Sequence, residues 1–140
     1  MQRLILLAAA LAIPAYAMAD AMQPGLYRAT IESPGEKPEK KEDCITQKDI
    51  DEGLTGLSGE RSASCKVQDM KRGSGSVSYR STCEEDGTKA TTQVNGTFTR
   101  DSFDLNFAMS VNADPPIKFH MVGKRIGECK PNEGSKRGRK

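Results

Sequence analysis

The chain predicts a mainly β fold, an antiparallel meander of about six strands with one short helix, stabilised by disulfides. Three observations carry this expectation. Phe103, Leu105, Phe107, Met109 and Val111 alternate strictly with other residues, the period of a strand with one buried face. Turn signals such as Glu85-Asp86-Gly87, Arg100-Asp101 and Asp114-Pro115-Pro116 recur between short β-rich runs. Cys44, Cys65, Cys83 and Cys129 all follow an apolar N-terminal segment, and an even cysteine count in an exported chain reads as a disulfide framework.

Each element has its own local reason. Gly25-Leu26-Tyr27-Arg28-Ala29-Thr30-Ile31 is rich in β-formers and predicts the first strand. Residues 33–43 are dense in Pro, Gly and charge and predict a surface loop. Thr46, followed three residues later by Asp49, resembles a capping box, and Ile45, Ile50 and Leu54 form one apolar face. A helix is therefore expected over about 47–54, stopped by Gly53, Gly56 and Gly59. Strands at 65–70 and 76–84 flank a hairpin connection over 71–75. Strands at 89–99 and 103–111 come next, and Ile117, Phe119 and Met121 begin a last strand running towards Ile126. A small closed barrel or a half-open sandwich would each manage the sheet edges.

The hairpin also constrains the cysteines. Four cysteines permit three pairings. A turn centred on Ser74 sets Cys65 directly opposite Cys83, with both side chains on one face. Cys44 is then left for Cys129. A zinc site would need closely spaced ligands such as C-x-x-C, and the sequence has none.

The first residues predict export. Met1-Gln2-Arg3 is a short basic segment, and Leu4 to Ile13 is an uncharged apolar run of ten residues. Pro14 ends it, and the small residues that follow offer cleavage after Ala17 or Ala19. Ten residues fall well short of the roughly 20 needed to span a bilayer, so no transmembrane span is expected. The expected organisation is a signal peptide over 1–19, one β domain over 20–129 and a basic disordered tail over 130–140. The expected location is periplasmic or secreted.

Charge is nearly balanced but unevenly placed. Residues 130–140 carry Lys130, Lys136, Arg137, Arg139 and Lys140 against Glu133 alone. The body before the tail is mildly acidic, which argues against nucleic-acid binding. Lys136, Arg137, Arg139 and Lys140 are candidates for a weak electrostatic tether to anionic surfaces such as lipid headgroups.

Candidate chemistry is sparse. His120 is the only histidine, and it lies between Phe119 and Met121, facing away from their apolar side. No nucleophile motif accompanies it. Glu84, Glu85, Asp86, Asp101 and Asp104 sit at or beside turns without catalytic spacing. Arg72-Gly73-Ser74-Gly75 lacks the phosphate-loop pattern, and Asn95-Gly96-Thr97 is a bare glycosylation sequon. No catalytic, cofactor or metal residues are expected, and the reading leans away from an enzyme.

Three segments resemble a known family. Pro24-Gly25-Leu26-Tyr27 is similar to a P-G-L-W opening, with Tyr27 where Trp is usual. Cys44-Ile45-Thr46-Gln47-Lys48-Asp49 is similar to a C-L-T-x-E-D segment, and Gly123 to Cys129 to a G-K-R-I-G-D-C ending. Together they resemble the bacterial family called domain of unknown function 3617, over about residues 22–129. That resemblance implies a signal-bearing periplasmic or secreted β domain of Gram-negative bacteria with no assigned activity. A second likeness joins Gly25-Leu26-Tyr27 with Lys124-Arg125, which resemble the G-x-W and closing arginine of lipocalin-like barrels. The leading functional expectation is a non-catalytic structural or binding module contacting an envelope component. The alternative is a lipocalin-like carrier of a small apolar ligand.

Overall fold

The computed structural model describes residues 22–58 and 64–131. The expected signal peptide, and Lys136, Arg137, Arg139 and Lys140 of the expected tail, lie outside these residues. Seven strands form one antiparallel sheet: β1 (Gly25–Glu32), β2 (Glu39–Ile45), β3 (Cys65–Gly73), β4 (Ser76–Glu85), β5 (Thr88–Phe98), β6 (Ser102–Val111) and β7 (Ile117–Gly127). Their spatial order is β2-β1-β7-β6-β5-β4-β3. β3 to β7 form the expected meander, and β1 returns to pair with β7 and carries β2 on its outer side. The edges β2 and β3 do not pair with each other, so the sheet is unclosed.

The extra strand falls where a loop was expected. Only residues 33–38 turn, and Glu39–Ile45 pairs with β1 from Ile31↔Glu39 to Gly25↔Ile45. The segment lacks apolar alternation because most of β2 is solvent-facing; burial sets in only at Cys44 and Ile45. Its charges suit an edge that must not recruit another strand. Glu42 also stands opposite Arg28 and bonds its guanidinium at 2.8 Å.

The helix is shorter than its apolar spacing predicts. α1 spans Gln47–Asp51, opened by the Thr46–Asp49 capping box. Gly53 then takes a positive φ of 72°, and its N–H reaches the Ile50 carbonyl while the Leu54 N–H reaches that of Asp49. This paired bond pattern ends a helix at glycine. A 3-10 turn over Thr55–Ser58 follows. Arg72 of β3 donates to the carbonyls of Asp51 and Ile50, both at 2.6 Å, and so ties the helix C-terminus to the sheet.

One sheet face carries the core. Tyr27 and Ala29 of β1, Val77 and Tyr79 of β4, Val94 of β5, Phe103, Leu105 and Phe107 of β6 and Met121 of β7 are buried there. Ile50, Leu54 and Leu57 from α1 and the turn after it, with Met22 and Ile45, complete the cluster. Gly123 matters for packing. The Phe103 ring lies where its Cβ would stand, so only glycine lets that ring lie flat on β7. Phe103 in turn meets Tyr27 at 5.9 Å between ring centroids.

Both disulfides follow from the strand positions. Cys65 and Cys83 face each other across β3 and β4 and are bonded. The route differs from the one the turn suggests. The turn is the two-residue Ser74-Gly75, flanked by Gly73↔Ser76, and alone would set Cys65 opposite Glu84. A bulge then places Asp69 and Met70 against Tyr79, with Asp69 at φ 56°, and restores Cys65↔Cys83. Cys44 is bonded to Cys129, joining β2 to the segment just after β7.

Candidate functional site

The sheet face opposite the core is polar and open, and it is the candidate site among the described residues. Strand alternation sends Thr30 and Glu32, His120, Asp104 and Asn106, Asn95 and Ser78 to this side. Register then aligns them. Glu32 pairs with His120, His120 with Asn106, Asn106 with Asn95, Asn95 with Ser78 and Ser78 with Lys71. One unbroken polar row therefore crosses six strands, from β1 to β3.

His120 is the best-held member of the row. Its Nε2 lies 2.7 Å from Asp104 Oδ1 and its Nδ1 3.5 Å from Glu32 Oε2. The bond to Asp104, with Glu32 adding to it, outweighs partial burial and holds the imidazole pKa above its ordinary 6.5. A carboxylate at each ring nitrogen favours the doubly protonated ring. Among the described residues, its side-chain hydrogen-bond partners are these two carboxylates. Among the described residues, no group of three or more His, Cys, Asp and Glu side chains is arranged to hold a metal ion.

Three shallow grooves run over this face. One of about 550 Å³ lies between Glu32, His120, Asn106 and Asn95. Others of about 710 Å³ and 430 Å³ extend it towards Lys71, Ser78 and Arg80. Asn95 lines all three. The space between α1 and the sheet, lined by Ile50, Leu54, Val77 and Phe98, is far smaller, about 10 Å³.

The Gly25–Tyr27–Arg125 set meets in space. Tyr27 and Arg125 are cross-strand partners. The Arg125 side chain crosses Gly25, where a Cβ would block it, and its Nε donates to the Pro24 carbonyl at 3.0 Å. Tyr27 donates to the Gln23 carbonyl at 2.6 Å, and burial pushes its pKa up to about 12 against the opposing pull of Arg125. These contacts lock the chain entry to β1.

A family model described as a protein of unknown function, DUF3617, matches residues 22–129. The chain belongs to the DUF3617 family. No curated protein and no solved structure matches it significantly. The three DUF3617-like segments take definite places in the fold: the opening locks β1, the second carries Cys44 and the α1 cap, and the ending supplies Gly123, Arg125 and Cys129. All three serve architecture. The polar row uses none of them, and it emerges only from the observed strand register, which the turn positions read from the sequence do not reproduce across β6 and β7.

Proposed function

We propose that this DUF3617 protein is an exported, disulfide-stabilised, non-catalytic binding module that uses its polar sheet face to contact an envelope component. In this reading residues 1–19 are a cleaved signal, residues 20–129 are the working domain in the periplasm or outside the cell, and residues 130–140 are a basic tail. The observation that carries the reading is the polar row from Glu32 to Lys71, which lies over shallow grooves on a face against which no helix of the described residues packs. The two disulfides suit an oxidising compartment. Among the described residues, no helix is long and apolar enough to cross a membrane.

The apolar-ligand carrier has less support. The space beneath α1 is close to the minimum for one water molecule, far below the few hundred Å³ of an ordinary ligand pocket. The test is to express the full chain in a Gram-negative host and follow the processed protein in envelope fractions. A mature N-terminus at Met18 or Asp20 and co-sedimentation with envelope fragments, weakened by Arg80→Glu with Lys118→Glu, are expected. An unprocessed cytosolic chain, or sedimentation indifferent to those changes, refutes the proposal.

A further inference from the structure

The charges of the sheet are sorted by face. On the polar face β7 presents Lys118 and Lys124, β4 presents Arg80, and β3 presents Lys66 and Lys71. β5 adds Lys89, β1 adds Arg28 and β2 adds Lys40. Against these eight cations stand Glu32, Glu42, Glu84 and Asp104, with Asp69 reaching Arg80 from the bulge at 3.4 Å. The remaining described residues carry more acidic than basic side chains. A weakly charged body thus presents one clearly cationic face.

The placement of these cations is informative. Lys118 and Arg80 lie on one cross-strand row, joined through Ala108 and Gln93. Three strand spacings separate their backbones, roughly 14–15 Å. Lys71 closes the neighbouring row beyond Asn106, Asn95 and Ser78. A single small anion does not span such a track, whereas an extended polymer does. Between the cations lie Asn95, Asn106 and Gln93, whose amides both donate and accept and therefore match hydroxyls.

From this juxtaposition we propose that the polar face binds an acidic polysaccharide, with Lys71, Arg80 and Lys118 meeting its carboxylates and the amide row meeting its hydroxyls. The inference rests on the binding-module reading above and adds the ligand class. Two other polyanions fit less well. Nucleic acid binding without sequence preference uses aromatic stacking, and no aromatic side chain faces this side of the strands. A lipid surface is flat and is met by apolar side chains beside the cations, whereas this face is grooved and its centre is amide.

The test uses the processed full-length protein and titration calorimetry with a galacturonate oligomer. A neutral glucose oligomer of equal length, phosphatidylglycerol vesicles and a single-stranded oligonucleotide are run in parallel. The galacturonate oligomer is expected to bind, more weakly as salt rises. Arg80→Glu with Lys118→Glu should raise its Kd roughly tenfold or more, equivalent to about 1.4 kcal/mol. Lys48→Glu, an equal kind of charge change on α1 beneath the other face, should leave it within about twofold. Unchanged thermal melting and intact disulfides in all variants establish that folding is retained. No binding, equal binding of the neutral oligomer, or equal losses in the Lys48 variant overturns the proposal. Face-sensitive binding of vesicles or the oligonucleotide without galacturonate binding overturns the glycan assignment and leaves the binding face standing.

Discussion

Replacing Gly123 by alanine should destabilise the domain although it adds a single methyl to a strand. The added Cβ would occupy the position of the Phe103 ring, whose Cζ and Cε atoms are its nearest neighbours. Phe103 is only 3% exposed and backed by Tyr27, so its ring has no free direction of retreat. Overpacking of this kind costs about 1–3 kcal/mol. Removing a strand glycine returns about 0.5–1 kcal/mol through the unfolded chain. The net expected loss is therefore about 1–2 kcal/mol. Phe103→Leu shortens the ring and should absorb the methyl, so the double variant should lose about 1 kcal/mol less than the sum of the single losses. Urea unfolding of the oxidised protein, followed by far-UV circular dichroism because the chain has no tryptophan, measures all four forms. Strictly additive losses, or a Gly123→Ala protein as stable as its parent, would falsify the packing argument.

Four further outcomes are expected. Changing Cys44 and Cys129 to serine releases a crosslink spanning 85 residues and should cost about 4–5 kcal/mol in the chain-entropy model, against about 3 for Cys65 and Cys83; chemical denaturation that ranks them in the opposite order counts against it. Deleting Asp69 takes out the extra residue of the bulge and leaves a regular ladder with Met70 opposite Tyr79 and Cys65 still opposite Cys83, so peptide mapping of the oxidised protein should still recover the 65–83 link, and its loss counts against the bulge reading. Arg72→Ala leaves the Ile50 and Asp51 carbonyls without their cationic donor and should lower stability by about 1–3 kcal/mol, with the loss visible in amide exchange of α1. NMR titration should find the His120 pKa above 6.5, with Asp104→Asn lowering it more than Glu32→Gln. Because the folded value is raised, this contribution is complete below pH 6.5 and lost as pH climbs through the folded pKa; at this exposed site it stays under about 1 kcal/mol.

Most of the β meander was legible because β4 to β7 each have a wetter and a drier face, whereas β3, exposed along its length, was legible through its hairpin turn with β4. Phe103 to Val111 and Ile117 to Met121 announce that asymmetry at every second residue. β2 was not legible for the converse reason. Over Glu39–Asp43 it buries neither face, so it carries charges where strand signals would stand. The end of α1 was misjudged because the apolar face runs on through Leu54, whereas Gly53 has already turned the backbone. The cysteine pairing came out right with a turn centred one half-residue early. The bulge at Asp69 compensates for it, and nothing in that residue's immediate neighbourhood announces a left-handed backbone. At the candidate site, His120 was correctly placed on the outer face, yet Glu32 is 88 residues away in sequence and joins it only through the β1–β7 register.

The Cys44–Cys129 bond has a mechanical meaning. β1 lies between β2 and β7, and the bond links the sulfurs of Cys44, on β2, and Cys129, just beyond the end of β7, past Leu26. Without it, tension applied to the chain after Cys129 would peel β7 away one hydrogen bond at a time, the weakest way to load a sheet. With it, the pull is shared between β7 and β2, which flank β1 on opposite sides. The bond therefore strengthens the C-terminal end of the sheet against being pulled open strand by strand.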